Sequence, residues 1–294
     1  MSSNLPRNLV ESLPLDLQQK FDTAVSQIRL SKGAVVALSA GVDSSLVALL
    51  AHKALGDHAV AVTGVSESLP PHELEIAKET AKEIGIKHLV VQTYELQNPE
   101  YASNRADRCY YCKDTLYSEL RTLANGLGLE DILDGTQVDD LGDDRPGLRA
   151  AQEAGVKSPL LIASFSKAEV RETARALGLS VWDKPAMPCL SSRITHGEEV
   201  TTNKLGMIGL AELYIKELTG VRNLRVRYNS SAARIEVAPE ERRVFFDEAV
   251  MDQVDRALKQ LGFMTVTLDL KGYSRKERTS KADPLLLPMA SVSE

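Results

Sequence analysis

The chain is poor in cysteine and in aromatic residues: its 294 residues include three cysteines, one tryptophan and only 5% aromatics in all. So few thiols cannot build a disulfide framework, and no apolar run approaches the roughly 20 residues that span a bilayer. The first residues lack the basic start and apolar core of a signal peptide, so we expect a cytoplasmic protein with no membrane partner. In a reducing compartment, the cysteines are expected to bind a metal or to act in catalysis.

The sequence also lacks an excess of positive charge. It carries 35 lysines and arginines against 41 acidic residues, a formal net charge of -6. A protein held to nucleic acid mainly by phosphate contacts needs a basic surface, so this balance argues against a nucleic-acid partner. With 43% hydrophobic and 26% charged residues, the composition is that of an ordinary globular protein, and the length allows two domains.

Short apolar segments alternate with helical patterns along the first part of the chain. Strands are expected at 34–38, 59–65, 87–92, 131–134 and 158–163, and helices at 17–28, 45–56, 71–85, 113–127 and 166–178. This alternation predicts an α/β fold, with a mostly parallel sheet covered by helices on both faces.

The pattern changes near His196. A helix to Gly220 precedes strands expected at 223–228 and 234–238, a helix at 239–261 and a last strand at 263–270. We therefore expect an α/β domain over 1–196. Residues 197–294 are expected to form a small α+β domain for substrate binding or oligomerisation, with a loosely ordered tail.

A loop of small and polar residues follows the first expected strand and consists of Ser39, Ala40, Gly41, Val42, Asp43, Ser44 and Ser45. The start of the next helix offers free N–H groups and the positive end of a dipole, which favour phosphate. Asp43 cannot itself favour a phosphate, so we expect it to hold a Mg²⁺ ion. The alternative is a plain strand–turn–helix junction, with Gly41 in the turn and Ser44 as the cap.

This loop resembles the Ser-Gly-Gly-x-Asp-Ser PP-loop of ATP pyrophosphatases. The resemblance implies an enzyme that splits ATP into AMP and pyrophosphate while it adenylylates an acyl or amide oxygen. Ala40 stands where the family pattern has its first glycine. If the backbone needs a positive φ there, strain is expected.

A second polar stretch, 134–147, follows the strand expected at 131–134. Because ligands of open α/β sheets lie beyond the carboxyl ends of strands, this stretch is expected to border the same crevice. We expect Gly135 and Thr136 to contact ATP, and Asp140 and Arg145 to contact the substrate. The alternative is a solvated acidic loop that ends in a Pro-Gly turn.

The cysteines form a Cys-x2-Cys pair, Cys109 and Cys112, and a separate Cys189 within Pro-Cys-Leu-Ser-Ser-Arg. All three are expected in turn-like segments. Three thiolates can hold a 4Fe–4S cluster and leave one iron open to carry an extra sulfide.

Three other interpretations of the cysteines stay open. The pair could be a redox dithiol, its thiol pKa lowered by Arg108 and Lys113. It could bind zinc with His196 as a further ligand. Cys189 could also act alone, as a nucleophile or a sulfur donor.

Three arginines are candidates for binding a phosphate or carboxylate of the substrate: Arg193, Arg225 and Arg227. Arg225 and Arg227 alternate along an expected strand and would share one face. Glu236 could orient one of them or hold a metal. The alternative for all of them is solvated surface charge.

Taken together, these motifs resemble the LarE family over nearly the whole chain. The resemblance rests on the loop at Ser39, Arg-Cys-Tyr-Tyr-Cys-Lys, Asp-Gly-Thr with Asp-Asp-Leu-Gly-Asp-Asp-Arg-Pro-Gly, Cys-Leu-Ser-Ser-Arg and the Arg-Val-Arg and Arg-Ile-Glu segments. It implies an ATP- and Mg²⁺-dependent sulfurtransferase acting on pyridinium-3,5-biscarboxylic acid mononucleotide, in biosynthesis of the nickel-pincer nucleotide cofactor of lactate racemase. It also implies a homo-oligomer such as a hexamer.

Two mechanisms occur in that family. Members with only the cysteine that matches Cys189 give up its sulfur, whereas members with three cysteines bind a 4Fe–4S cluster and can act repeatedly. The resemblance therefore implies a cluster on Cys109, Cys112 and Cys189. A tRNA thiolase, an ammonia-using amidotransferase and an ATP- or redox-sensing binding module stay open as other functions.

Overall fold

Parallel strands form the centre of the N-terminal part in the computed structural model, which describes residues 10–141 and 146–273. The strands are β1 (Ala34–Ala37), β2 (Ala59–Val65), β3 (Lys87–Gln92) and β4 (Asp131–Leu133). They lie in the order β3-β2-β1-β4, and β1 pairs in parallel with both β2 and β4. The chain thus adds strands on one side of β1 and then on the other. Such a switch point opens a crevice at the carboxyl ends of the two strands that flank it.

Helices cover both faces of this sheet. They are α1 (Leu15–Ile28), α2 (Val42–Leu55), α3 (Pro71–Ile84), α4 (Pro99–Ala102), α5 (Arg108–Leu127), α6 (Pro146–Glu153), α7 (Pro159–Ile162) and α8 (Lys167–Ala176). Val36 belongs to the core shared with α1, α2, α3 and α8, while its neighbour Val35 belongs to the core shared with α5 and α6. Because successive strand residues point to opposite faces, an all-apolar strand such as β1 must be covered on both sides.

A second, smaller sheet follows. It consists of β5 (Leu224–Asn229), β6 (Ala232–Val237) and β7 (Thr265–Leu268), and it packs with α9 (Thr202–Thr219) and α10 (Glu248–Gln260). The turn between β5 and β6 has Ser230 and Ser231 at φ 47° and 67°, the left-handed pair that a tight hairpin requires. Tyr101 and Leu190, which precede the expected boundary, are buried in this second core. The boundary between 196 and 197 stays a prediction.

The expected α/β fold is confirmed, and most elements lie where the sequence places them. The strand expected at 158–163 is wrong, because Pro159 opens the short helix α7. The helix expected from 113 begins at Arg108, so Cys109 and Cys112 lie on a helix and not in a turn. The helix expected at 239–261 is a 3₁₀ segment, Pro239–Phe246, followed by α10.

Two further points concern the ends and the surface of the protein. The loosely ordered tail expected from about Lys276 lies outside the described residues. Among the described helices, none has both the length and the apolar character needed to cross a bilayer.

Candidate active site

A cavity of about 850 Å³ opens where the carboxyl ends of β1 and β4 diverge. It brings together both polar loops and the start of α5, with a lining that includes Ser39, Asp43, Gly135, Thr136, Cys109 and His196. The crevice that the strand order predicts is therefore present. It joins the expected phosphate loop to one of the expected sulfur residues.

The phosphate loop is held by its own serines. Ser39 donates its N–H to Ser44 Oγ at 3.1 Å, and the hydroxyls of Ser44 and Ser45 donate to the carbonyl oxygen of Gly41 at 3.1 and 2.9 Å. Gly41 is the N-cap of α2. Since the first N–H groups of a helix have no partner within it, the loop presents these donors to an anion.

Ala40 takes the left-handed conformation that the sequence makes costly. Its φ is 57°, so the strain expected at this position is present. A left-handed alanine costs about 1–2 kcal/mol. Its side chain is completely buried in the first core, and burial of a methyl group returns about 0.8 kcal/mol. Alanine can therefore replace the glycine of the family pattern at a small net cost.

Asp43 lies at the mouth of α2 with one oxygen bonded and one not. Its Oδ2 accepts a short hydrogen bond from Lys167 Nζ, while Oδ1 is buried and finds no hydrogen-bond partner among the described residues. A buried carboxylate oxygen without a donor fits a cation ligand, so the geometry suits the Mg²⁺ expected there. Lys167 was not expected in the site. The sequence signal that could have found it is the confirmed capping box of Ser166 and Glu169, which places Lys167 at a helix start.

A second lysine was also missed. Lys184 Nζ donates to the carbonyl oxygen of Ala40 at 2.9 Å and to Glu73 Oε2 at 2.6 Å. Burial alone would raise the pKa of the Glu73 carboxyl, but His72 and Lys184 outweigh it and hold that pKa below its usual value. Glu73 is therefore ionised at neutral pH, and it forms a nearly buried ion pair beneath the loop.

The second polar stretch touches the phosphate loop directly. A Cβ placed on Gly135 would lie 2.7 Å from the backbone nitrogen of Ser44, so only glycine allows this approach. Thr136 donates both its N–H and its hydroxyl to the buried Asp134. Asp140 caps a 3₁₀ turn by accepting from the N–H of Gln137.

The structure thus gathers the ATP-binding candidates on two touching loops. Arg145, expected to contact the substrate, lies outside the described residues.

The cysteine pair lies one helical turn apart on α5. Cys109 is exposed and lines the cavity, whereas Cys112 and Cys189 are half-buried. Burial raises the pKa of the Cys112 thiol to about 12, and the charges of Glu95 and Cys189 raise it further, against Lys113. Cys112 is therefore a neutral thiol unless a cation displaces its proton. The dithiol interpretation needs the opposite shift.

The donor set suits an iron–sulfur cluster in type and number, because three thiols border one region. Within the described parts of the chain, no three His, Cys, Asp or Glu side chains stand in an arrangement that would hold a metal ion. Binding a cluster would therefore require the thiols to close around it. The same finding gives no support to a zinc site with His196, whose ring lies 3.4 Å from the carbonyl oxygen of Asn104.

A buried carboxylate beside the thiols was not foreseen. Glu95 Oε1 accepts from the hydroxyls of Ser66 and Ser68 at 2.5 and 2.9 Å. Its Oε2 is buried and has no hydrogen-bond partner among the described residues. Sequence inspection offers no signal for this group, since it comes from a short 3₁₀ turn after β3.

The segment that carries Cys189 is held through its backbone carbonyls. Arg193 donates to the carbonyl oxygens of Pro188 at 2.6 Å and Cys189 at 3.1 Å, and its side chain is fully buried against both oxygens of Glu212. Every nitrogen of this guanidinium thus has a protein acceptor. In this geometry Arg193 fixes Cys189, and its expected role as a substrate contact stays a prediction.

Three more arginines reach the same segment from other elements. Arg225 donates to the carbonyl oxygen of Ala186 at 2.9 Å, Arg227 to that of Ser192 at 2.9 Å and Arg108 to that of Ser191 at 3.0 Å. Burial, followed by the charge of Arg193, lowers the pKa of Arg225. Arg108 therefore serves the Cys189 segment and not the Cys109 thiol.

Glu236 orients Arg227, as one of its two expected roles requires. Its Oε2 accepts from Arg227 Nε at 2.9 Å, and its Oε1 accepts from Arg234 at 2.8 Å. Arg227 is the most exposed of the three candidate arginines, with 29% of its side chain accessible. Of the three, it is the best placed to reach a ligand, and its contact with the substrate stays a prediction.

Comparison with known proteins adds relatives over most of the chain. A family model described as NAD synthase matches residues 16–110. An uncharacterized protein of Synechocystis is 48% identical over 82% of this chain and 89% of its own length. The pyridinium-3,5-bisthiocarboxylic acid mononucleotide synthase of Lactiplantibacillus plantarum is 38% identical over 87% of this chain and 92% of its own. One of the subunits of the glutamine-hydrolyzing GMP synthase of Archaeoglobus fulgidus is 27% identical over 69% and 71%.

Proposed function

Because the chain belongs to the LarE family, that of the Lactiplantibacillus plantarum synthase, we propose that it thiolates pyridinium-3,5-biscarboxylic acid mononucleotide. It is an ATP-using sulfurtransferase of nickel-pincer nucleotide biosynthesis. The proposal adds the substrate, the roles of single residues and a 4Fe–4S cluster held by Cys109, Cys112 and Cys189. A cytoplasmic location, the absence of a nucleic-acid partner and a homo-oligomeric state such as a hexamer stay predictions.

The first half-reaction activates the substrate. A carboxylate oxygen attacks the α-phosphorus of ATP, and pyrophosphate leaves with the electrons of the broken P–O bond. The N–H groups at the start of α2 bind the phosphates, and Lys167 adds a positive charge beside Asp43. Asp43 would hold Mg²⁺, which supplies charge neutralisation on the phosphates.

The second half-reaction exchanges oxygen for sulfur. A sulfur nucleophile attacks the acyl carbon, AMP leaves with the carboxylate oxygen, and a thiocarboxylate remains. The chain's own contribution is position, because the arginines that bind the 186–192 carbonyls fix the Cys189 backbone. A bound cluster would supply an iron without a protein ligand, on which an extra sulfide can be carried.

One observation carries the proposal: the 38% identity to the Lactiplantibacillus plantarum synthase spans both loops and all three cysteines within 87% of the chain. The cavity that joins Asp43 to Cys109 supports it.

The test is to incubate anaerobically purified protein with the mononucleotide, ATP, Mg²⁺ and sulfide, and to follow product mass, AMP and pyrophosphate. We expect a thiocarboxylate and one AMP for each sulfur transferred. AMP release that depends on ammonia, or on tRNA, would contradict the proposal in favour of an amidotransferase or a tRNA thiolase.

The same reaction separates the two sulfur mechanisms. With iron bound and sulfide supplied, a cluster mechanism transfers more than one sulfur per chain. A limit of one sulfur per chain, with a loss of mass at Cys189, would instead show sacrificial transfer. Iron and acid-labile sulfide lost together in Cys109→Ala, Cys112→Ala and Cys189→Ala would identify the ligands.

A further inference from the structure

Two lysines make the same unusual contact in different parts of the protein. Lys184 donates to the carbonyl oxygen of Ala40 and pairs with Glu73. Lys20 donates to the carbonyl oxygen of Ser164 at 2.8 Å and pairs with Glu169 at 2.7 Å. Ala40 and Ser164 both have φ 57°. In each case a charged lysine binds the carbonyl of a non-glycine residue in a conformation that side chains disfavour.

The contact at Ala40 fixes a peptide group of the phosphate loop. In a planar trans peptide, the C=O and the N–H point in opposite directions. With the Ala40 oxygen bound to Lys184, the Gly41 N–H must point away from that lysine. The peptide that enters the loop is fixed as well, because the Ser39 N–H binds Ser44 Oγ. Two peptide groups of the loop are thereby set before α2 begins.

We propose that Lys184, held by Glu73, is a positioning residue of the nucleotide site that keeps the Ala40–Gly41 peptide in its phosphate-binding orientation. The inference rests on the proposed use of ATP at this loop. The Lys184 and Glu73 side chains are only 15% and 5% exposed, so water cannot easily replace the lysine at the Ala40 carbonyl. Without Lys184, an alanine at this position favours negative φ, and the peptide would rotate.

The test uses a double-mutant cycle between residues 184 and 40. Binding of Mg–ATP to the full chain is measured by calorimetry without any sulfur acceptor, in the parent protein and in Lys184→Met, Ala40→Gly and the double variant. Glycine accepts positive φ without strain, so it should make the lysine unnecessary. We expect Lys184→Met to weaken ATP binding about tenfold or more and the double variant to lie within about threefold of Ala40→Gly alone.

Lys20 supplies the matched control. Lys20→Met removes the same kind of contact at Ser164, which is not part of the phosphate loop. We expect it to lower the temperature of thermal unfolding while ATP binding stays within about twofold of the parent value. A tenfold loss of ATP binding in both lysine variants would show a general effect of lost stability and would overturn the inference.

Other outcomes also decide the matter. An unchanged ATP affinity in Lys184→Met overturns the inference. An equal loss with alanine and with glycine at position 40 also overturns it, since that result would indicate direct contact with the nucleotide. If Lys184→Met does not fold, Glu73→Gln serves in its place and should show a smaller loss that Ala40→Gly again removes. A protein that follows the cycle but transfers no sulfur to the mononucleotide would refute the proposed function and leave this inference standing.

Discussion

The two loops that carry the chemistry are held in opposite ways. The phosphate loop, 39–45, is bound largely by its own serines, with donors and acceptors three to five residues apart. The segment 186–192 is bound by arginines 83, 39 and 35 residues away from their acceptors, at Arg108, Arg225 and Arg227. ATP binding should therefore survive changes that disturb the second sheet, whereas placement of Cys189 should not.

The largest effect expected separates the two loops completely. Cys189→Ala should reduce sulfur transfer by about a thousandfold or more, because both sulfur mechanisms need this thiol. ATP–pyrophosphate exchange in the presence of the mononucleotide should stay within about threefold, since adenylylation precedes the sulfur step. Parallel assays of thiocarboxylate and of exchange measure this. A matching collapse of both rates would show that the loops are not independent.

The reverse separation should follow from the other loop. Asp43→Asn should slow pyrophosphate exchange about a hundredfold, because a preorganised charge at the phosphates is lost. The asparagine keeps the shape of the side chain, so the fold and the reactivity of Cys189 towards an alkylating reagent should be unchanged. Exchange rates across a range of Mg²⁺ concentrations provide the measurement. Full activity at saturating Mg²⁺ would mean that Asp43 only assists the ion.

Arg225→Lys tests the long-range support of Cys189. The lysine keeps the charge but cannot donate to both Leu224 and Ala186 as the guanidinium does. A small displacement of the Cys189 segment should slow sulfur transfer about tenfold, with ATP affinity unchanged. The relevant comparison is between kcat for thiolation and Kd for ATP. A loss confined to the KM of the mononucleotide would instead favour the original expectation that Arg225 binds the substrate.

The smallest effect expected concerns pH. The pKa of Glu73 is held below its usual value by His72 and Lys184. The Glu73 charge therefore adds stability at neutral pH, and that stability is lost as the pH falls through the lowered pKa. Glu73→Gln should cost about 2 kcal/mol of unfolding free energy at pH 7 and progressively less at acid pH. Urea unfolding between pH 7 and the acid limit of the fold measures both. A difference that does not change with pH would exclude an ionised Glu73.

The same contrast explains what the sequence could predict. The phosphate loop was recognisable because its function needs residue types at fixed local spacing, and its one departure, Ala40, was correctly expected to be strained if left-handed. Lys184 and Lys167 were not recognisable, because their loop partners lie 144 and 124 residues away. No local pattern distinguishes such lysines from surface charge.

Arginine roles were the hardest to assign. Arg193 was expected to bind substrate, yet it is buried against Glu212 and binds the carbonyl of its own Cys189 segment. A lone arginine after a loop carries no sequence signal of burial. The strand expected at 158–163 failed for a similar reason, because a short apolar run is compatible with a buried helix turn as well as a strand.

Lys184 and Cys189 belong to one short piece of chain, and each end of that piece is fastened to a different half-reaction. Lys184 is bonded to the phosphate loop, while the carbonyl oxygen of Cys189 is bonded to Arg193. Five residues can span about 17 Å at most. The segment therefore acts as a measuring tether, which limits how far the sulfur can stand from the phosphate loop. Inserting a single residue between Lys184 and Cys189 would lengthen that tether without removing any functional group.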